Sequence, residues 1–272
     1  MLLEAWEWLR TPCSRQARRL GYLGEAIAFA GRHRRCAMEW REHLTQCHSA
    51  VRKSLACCTG HRTALVMGAG LALEYPLAEL AARFDRVILA DMVHLRPLRD
   101  EASRHANVLL LEADITAISR HLVEGGDAAT PGQLEAWSRT TPSSPLDPQG
   151  IDWVLSANLL SQLPLLPVAW LSRHRPELDD AFLENLGRNL MQGHLDLLAS
   201  FDGERCLIAD AEHRLLDDSD KPLEHSDFAA AFGLDEHAYA SWLWPIAPPG
   251  ELARGWRREH RMVACHWPGG TR

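Results

Sequence analysis

The chain has 272 residues, 46% of them hydrophobic and 24% charged, the make-up of an ordinary soluble globular protein with length enough for a full core. No apolar run reaches the roughly 18 residues of a membrane span. The opening residues Met1-Leu-Leu-Glu-Ala-Trp-Glu7 put acids where a signal peptide carries its positive end, so a cytoplasmic protein is expected. The net charge of −7 conceals an asymmetry, +6 over residues 1–62 against −13 for the remainder, which implies two parts of different character.

Residues 1–60 read as an N-terminal helical cap. Ser14 is a candidate N-cap, and Leu20, Leu23, Ile27 and Ala30 share one helical face. In a second stretch Ala37, Trp40, Leu44, Cys47, Val51 and Leu55 step by three and four, the stripe of a helix packed against something. The basic residues Arg15, Arg18, Arg19, Arg32, Arg34, Arg35 and Arg41 offer a face for an anionic substrate or nucleic acid, but no aromatic row interleaves them, and a solvated helix face is the simpler reading.

From Thr63 the pattern becomes strand and helix in turn. Thr63–Met67 is a short apolar run that empties into Gly68-Ala69-Gly70, a helix follows Pro76, and Arg86–Ala90 forms a second strand closed by Asp91. Glycines at such a bend let a ligand approach the main-chain amides, and an acid about 20 residues on accepts hydrogen bonds from a ribose. The third glycine of a dinucleotide fingerprint is Leu73 here, which disfavours a pyrophosphate. Beyond Asp91 come a helix over 95–105, a third strand ending at Asp114 and a helix over 116–123. The Gly-, Pro- and Ser-rich stretch 125–150 reads as a loop insertion. Ile151–Ser156 is a fourth strand, a proline-punctuated segment spans 164–176, Glu177–Ser200 is amphipathic, and Arg205–Asp210 is a fifth strand. Two late strand-like runs, from Ala240 and from Glu259, suggest an antiparallel pair. Trp242 and Trp244 share one face of the first, where they either fill the core or wall an aromatic or cationic substrate.

The seven cysteines form no Cys-x-x-Cys pair, which argues against a disulfide framework. His43, Cys47 and His48 cluster on a helix, but no second pair with zinc spacing accompanies them, so no metal is expected.

Over roughly 63–267 this layout resembles the class I S-adenosylmethionine-dependent methyltransferases. The resemblance rests on Val66-Met-Gly68-Ala69-Gly70-Leu-Ala-Leu-Glu74, on Asp91, on Glu112-Ala113-Asp114-Ile115, on Ser156-Ala157-Asn158-Leu159-Leu160 and on the terminal hairpin. It implies an α/β fold with a doubly wound, seven-stranded, mostly parallel sheet over residues 61–272. It also implies S-adenosyl-L-methionine as cofactor: Gly68, Ala69 and Gly70 at its linker, Asp91 on the ribose, Asp114 and Ile115 at the adenine, Asn158 beside the transferring methyl. The family's acid two residues before the first glycine is Val66 here, leaving Glu74 as candidate partner for the cofactor's ammonium, with helix capping as its structural alternative. The fourth strand lacks the Asn/Asp-Pro-Pro-Tyr/Phe signature of adenine methyltransferases, and the acceptor is unidentified. Methyl transfer works largely by alignment, with a base where the acceptor carries a proton. His94, Asn158, Gln162 and His213 are the catalytic candidates, each with a structural alternative as cap, turn or surface residue. Two other functions stay open: an NAD-dependent oxidoreductase, since Gly68, Gly70 and Asp91 suit that cofactor as well, and a non-catalytic methyltransferase-like binding protein.

Overall fold

The computed structural model describes residues 2–140 and 150–270. Four helices lead: α1 (Leu2–Arg10), α2 (Arg15–Leu20), α3 (Tyr22–Arg35) and α4 (Arg41–Cys57). Ser14 caps α2 by accepting from the Ala17 amide, as its sequence position suggests. Gly21, at φ 96°, ends α2 and starts α3, so the expected continuous face is two helices, yet Leu20, Leu23, Ile27 and Ala30 all lie buried. The next stripe is displaced. Cys36 and His43 are buried where Ala37 and Leu44 are expected, because residues 36–40 form a turn and α4 starts its own period at Arg41.

The strand and helix alternation then runs β1 (Thr63–Met67), α5 (Leu77–Arg83), β2 (Arg86–Asp91), α6 (Arg96–Ala102), β3 (Val108–Glu112), α7 (Ile118–Gly125), α8 (Pro131–Ser138), β4 (Trp153–Ala157), α9 (Leu165–His174), α10 (Asp180–Ala199) and β5 (Glu204–Leu216). The end of the chain adds β6 (Pro222–Asp227), α11 (Phe228–Phe232), β7 (Ala238–Ala247) and β8 (Arg257–Trp267). The sheet order is β3-β2-β1-β4-β5-β8-β7, with β6 paired to β5 off that path. β1 to β5 run parallel, and β8 enters antiparallel between β5 and β7. This doubly wound, mostly parallel sheet with a late hairpin is the Rossmann-like arrangement the resemblance implies. The eighth strand, β6, has exposed side chains throughout and pairs only with the outer part of β5, so it carries no hydrophobic alternation to announce it.

β1 and β4 are buried on both faces, as a parallel sheet covered by helices requires. On one face α4, α5 and α6 pack Val51, Leu55, Leu80 and Leu98 against Val66, Leu89, Trp153 and Ile208; the other face holds Met191, Leu197 and Leu198 of α10 against Leu65, Val154 and Leu207. Trp153 ties β4 to α4 by donating its indole N–H to the Ser54 hydroxyl at 3.0 Å.

The stretch 125–150 is not a plain loop: α8 lies within it, while 141–149 fall outside the described residues. The helix is set by Thr130-Pro131-Gly132-Gln133, in which Thr130 accepts from the Gln133 amide and Gln133 Oε1 accepts from the Thr130 amide at 2.8 Å. Thr130→Ala is expected to cost about 1 kcal/mol, read as faster amide exchange confined to α8. The proline-punctuated segment likewise contains α9, whose Pro167 sits in the first turn, where its missing N–H is harmless.

Candidate active site

The first bend after β1 is held by main chain. Gly68 takes φ 79° and Gly70 φ 53°, values glycine reaches without steric cost. The Gly68 and Ala69 amides both donate to the Ala90 carbonyl, at 3.0 and 3.3 Å, so bend and β2 lie side by side. A Cβ on Gly68 would stand 2.9 Å from the Ala157 carbonyl oxygen, whereas one on Gly70 would meet nothing closer than the Gly68 carbonyl oxygen at 3.9 Å. Gly68 is therefore required by packing against β4, and Gly70 presents bare backbone to open space.

Asp91 closes β2 across from that space, accepting from the Gly70 amide at 2.8 Å and the Met92 amide at 2.7 Å. Burial pushes its carboxyl up, and the Gly70 hydrogen bond opposes the shift. Glu74 lies in the irregular stretch between the bend and α5, only 6% exposed. Burial, reinforced by the nearby Asp91 charge, pushes its carboxyl up to about 7, and it caps no helix.

Asp114 is committed elsewhere. It accepts from the Thr116 amide and hydroxyl at 2.9 and 2.6 Å and from the Ser119 amide at 2.8 Å, organising the entry to α7. Ile115 is half-buried in the same cluster as Leu159. The leading helices close this side. Ala17, Leu23 and Ile27 pack with Met92, Val93 and Leu95, and with Leu71 of the bend. The Tyr22 hydroxyl lies 3.3 Å from the Ser119 hydroxyl, and burial, aided by the charges of Asp114 and Asp91, drives its pKa above the ordinary tyrosine range.

Asn158, at the tip of β4, holds φ 50°, and although its amide donates to the Ile208 carbonyl at 2.8 Å, its side-chain oxygen and nitrogen are buried without partners. Such orphaned groups cost about 1–3 kcal/mol each, and a non-glycine residue at positive φ adds strain. Gln162 donates to the Asn158 carbonyl at 2.7 Å and so braces the turn. His94 is buried, donating to the Leu89 carbonyl at 3.1 Å, while Arg99 donates to the His94 main-chain carbonyl at 2.8 Å. His94 therefore neither caps α6 nor faces solvent, as its structural alternative had it, while Gln162 is exposed, as its own has it.

His213 belongs to a cluster that sequence reasoning assembled only in part. Asp210 Oδ2 lies 3.0 Å from His213 Nε2 and 2.5 Å from the Ser161 hydroxyl, while Oδ1 lies 3.1 Å from His260 Nδ1. The two imidazoles stack with centroids 3.7 Å apart. Burial pushes Asp210 up, but the hydrogen bonds and charge of His213 and His260 outweigh it and hold the carboxyl well below the usual range. His213 and His260 are cross-strand partners of β5 and β8, and a bulge between Asp210 and Glu212 turns Asp210 and His213 to the same face despite their odd spacing. Asp210 and His260 were missed; the only signal was that Asp210 ends the predicted fifth strand level with the other strand-end acids.

Beside this cluster stands an aromatic wall. His43 stacks on Trp244 at 4.0 Å and accepts from the Trp242 indole at 3.0 Å; burial lowers its pKa to about 3. Trp244 is fully buried, as the core-filling alternative for it has it. His48 contacts the Leu73 carbonyl at 2.8 Å and so turns away from His43 and Cys47, whose ring nitrogens and Sγ lie 3.6 and 3.8 Å apart. All seven cysteines are free thiols. No helix among the described residues is long and apolar enough to cross a membrane.

No protein-family model matches the chain, and no curated protein matches it either. Among solved structures it is similar to the Burkholderia thailandensis 1,6-didemethyltoxoflavin-N1-methyltransferase with bound 1,6-didemethyltoxoflavin and S-adenosylhomocysteine, at 14% identity over 94% of this chain and 92% of that one, TM-score 0.40. It is also similar to DhpI in a complex with SAM and HEP, at 12% identity over 92% and 99% of the two chains, TM-score 0.37. A Leishmania major SAM-dependent methyltransferase aligns at 14% identity over 95% and 81%, TM-score 0.32. The fold of this chain rests on its own strand order and register, which place the glycine bend, Asp91 and Asn158 at the carboxyl ends of adjacent strands.

Proposed function

We propose that this chain is an S-adenosyl-L-methionine-dependent methyltransferase, with residues 1–60 as a helical cap over the cofactor side of a catalytic domain spanning 61–272. The observation that carries the reading is the open Gly70 backbone, hydrogen-bonded to Asp91 and followed by a buried Glu74 that pairs with no lysine or arginine among the described residues. An adenosyl ligand with an ammonium group fits that set: Asp91 for the ribose hydroxyls, Glu74 for the ammonium, Ile115 and Leu159 for the ring. Asp114 is left as a brace of the adenine side, because its oxygens already serve α7. A dinucleotide fits less well, since the bend continues through non-helical residues to Pro76 before α5 begins, and no helix start adjoins the glycines to receive a pyrophosphate.

Bound there, the cofactor supplies an electrophilic methyl group on sulfur. The protein's part is alignment of the acceptor at the tips of β4 and β5 and exclusion of water by α2 and α3. The acceptor is a molecule reaching Asn158 and the Asp210 cluster.

Titration calorimetry with S-adenosylhomocysteine tests the reading. Saturable binding is expected, and Asp91→Ala is expected to weaken it by about 2 kcal/mol as the charge-assisted ribose hydrogen bonds go. Binding of NAD(H) with no response to S-adenosylhomocysteine would establish the oxidoreductase instead.

A further inference from the structure

We propose that Asp210, His213 and His260 form a binding site for one divalent first-row transition-metal ion. Nitrogen and oxygen ligands about 2.1 Å from such an ion stand roughly 3.0–3.4 Å apart in octahedral or tetrahedral sites. The Asp210 oxygens lie 3.0 Å from His213 Nε2 and 3.1 Å from His260 Nδ1, and the three donors all fall within 4.8 Å of one another. Two imidazoles and one carboxylate are a donor set that retains divalent iron, manganese, cobalt or zinc and leaves positions for water or substrate.

Charge supplies an independent argument. Asp210 is 3% exposed, yet among the described residues neither arginine nor lysine pairs with it; its recorded partners are Ser161, His213 and His260. A buried carboxylate needs a positive charge beside it, and here that charge comes either from protons on His213 and His260 or from an ion in their place. The groups facing the cluster from neighbouring elements do not remove the need. His43 of α4 is neutral and bonded to Trp242, and Arg258 of β8 pairs with Glu224. The Ser161 hydroxyl, 2.5 Å from Oδ2, is placed to orient the carboxylate as an outer partner. The orphaned amide of Asn158 lies three residues before Ser161, at the same strand end, where an ion's open positions would bring a water or an acceptor oxygen to it. An acceptor hydroxyl bound to the ion would give up its proton more readily, which suits methylation at oxygen.

The test uses the full chain, freed of metal by chelator and titrated with Zn²⁺ in a calorimeter and with Co²⁺ in a spectrophotometer. One equivalent bound, with Co²⁺ bands of an imidazole-containing site, is expected. His213→Ala, at the most accessible member, is expected to weaken affinity at least tenfold, as is Asp210→Asn, whereas Cys57→Ser leaves it unchanged. If Asp210→Asn does not fold, His213→Ala decides. No stoichiometric binding, or binding indifferent to His213→Ala, overturns the site and leaves a hydrogen-bonded cluster. S-adenosylhomocysteine binding is measured separately, so its failure bears on the methyltransferase reading and not on the ion.

Discussion

Gly68→Ala is expected to cost about 3 kcal/mol of stability, while Gly70→Ala costs about 1 kcal/mol and removes S-adenosylhomocysteine binding. The two glycines share a bend but not a reason. At Gly68 the left-handed backbone penalises any side chain, and the added Cβ would meet the Ala157 carbonyl oxygen at 2.9 Å and the Leu159 Cβ at 3.2 Å. That carbonyl belongs to a strand paired with β1 on one side and β5 on the other, so it cannot step aside without disturbing both ladders. Gly70 has only the backbone penalty, because its Cβ direction is open. Thermal unfolding should show a drop of roughly 6–12 °C for Gly68→Ala and a much smaller one for Gly70→Ala. Equal melting temperatures for the two variants, or undiminished ligand binding by Gly70→Ala, would contradict this division of roles.

Glu74→Gln should stabilise the ligand-free protein at pH 8 by up to about 3 kcal/mol, do little at pH 5, and weaken S-adenosylhomocysteine binding at both. Burial raises the Glu74 carboxyl to about 7, above its value in the unfolded chain. Between the ordinary glutamate range and pH 7 the folded form therefore holds the extra proton. Stability falls as pH rises through that window, and the full penalty is present above it. Glutamine removes the penalty because it has no charge to bury. A ligand ammonium offsets the same penalty in the wild type, which makes ligand affinity and free-chain stability move in opposite directions on substitution. Melting curves at the two pH values, with a calorimetric titration at each, check both signs. An unchanged stability difference between pH 5 and pH 8 in the variant would rule out the role given to Glu74.

The centre of the parallel sheet was legible because β1, β2 and β4 are short apolar runs covered on both faces, and each ends in a glycine, an acid or an amide that cannot stay in the core. Thus Gly68, Asp91 and Asn158 were found at adjacent strand ends without any knowledge of pairing. Asp114 was found at the place expected, just past β3: the sequence shows an acid closing a strand, but not that Thr116 and Ser119 would turn their backbone amides onto it. The partners of His94 and Gln162 were hidden for a related reason, since a single buried histidine or exposed glutamine gives no sign of which carbonyl it serves. The Asp210 cluster was hidden in long-range register. Nothing local in Arg257–Trp267 announces that His260 will lie against His213, and the helix within 125–150 was masked by the glycine and proline that its capping box uses.

The supernumerary residue in β5 has a consequence for how this strand tolerates change. Before it, even-numbered side chains such as Cys206 and Ile208 face α4; beyond it, His213 takes that orientation, so the two segments are out of phase by one. Deleting Ala211 would straighten the strand and leave His213 two residues from Asp210 on the same surface, whereas inserting one more residue there would send His213 to the opposite surface, although neither side chain had been altered. Chain length between them, as much as their chemistry, is what keeps the acid and the imidazole together.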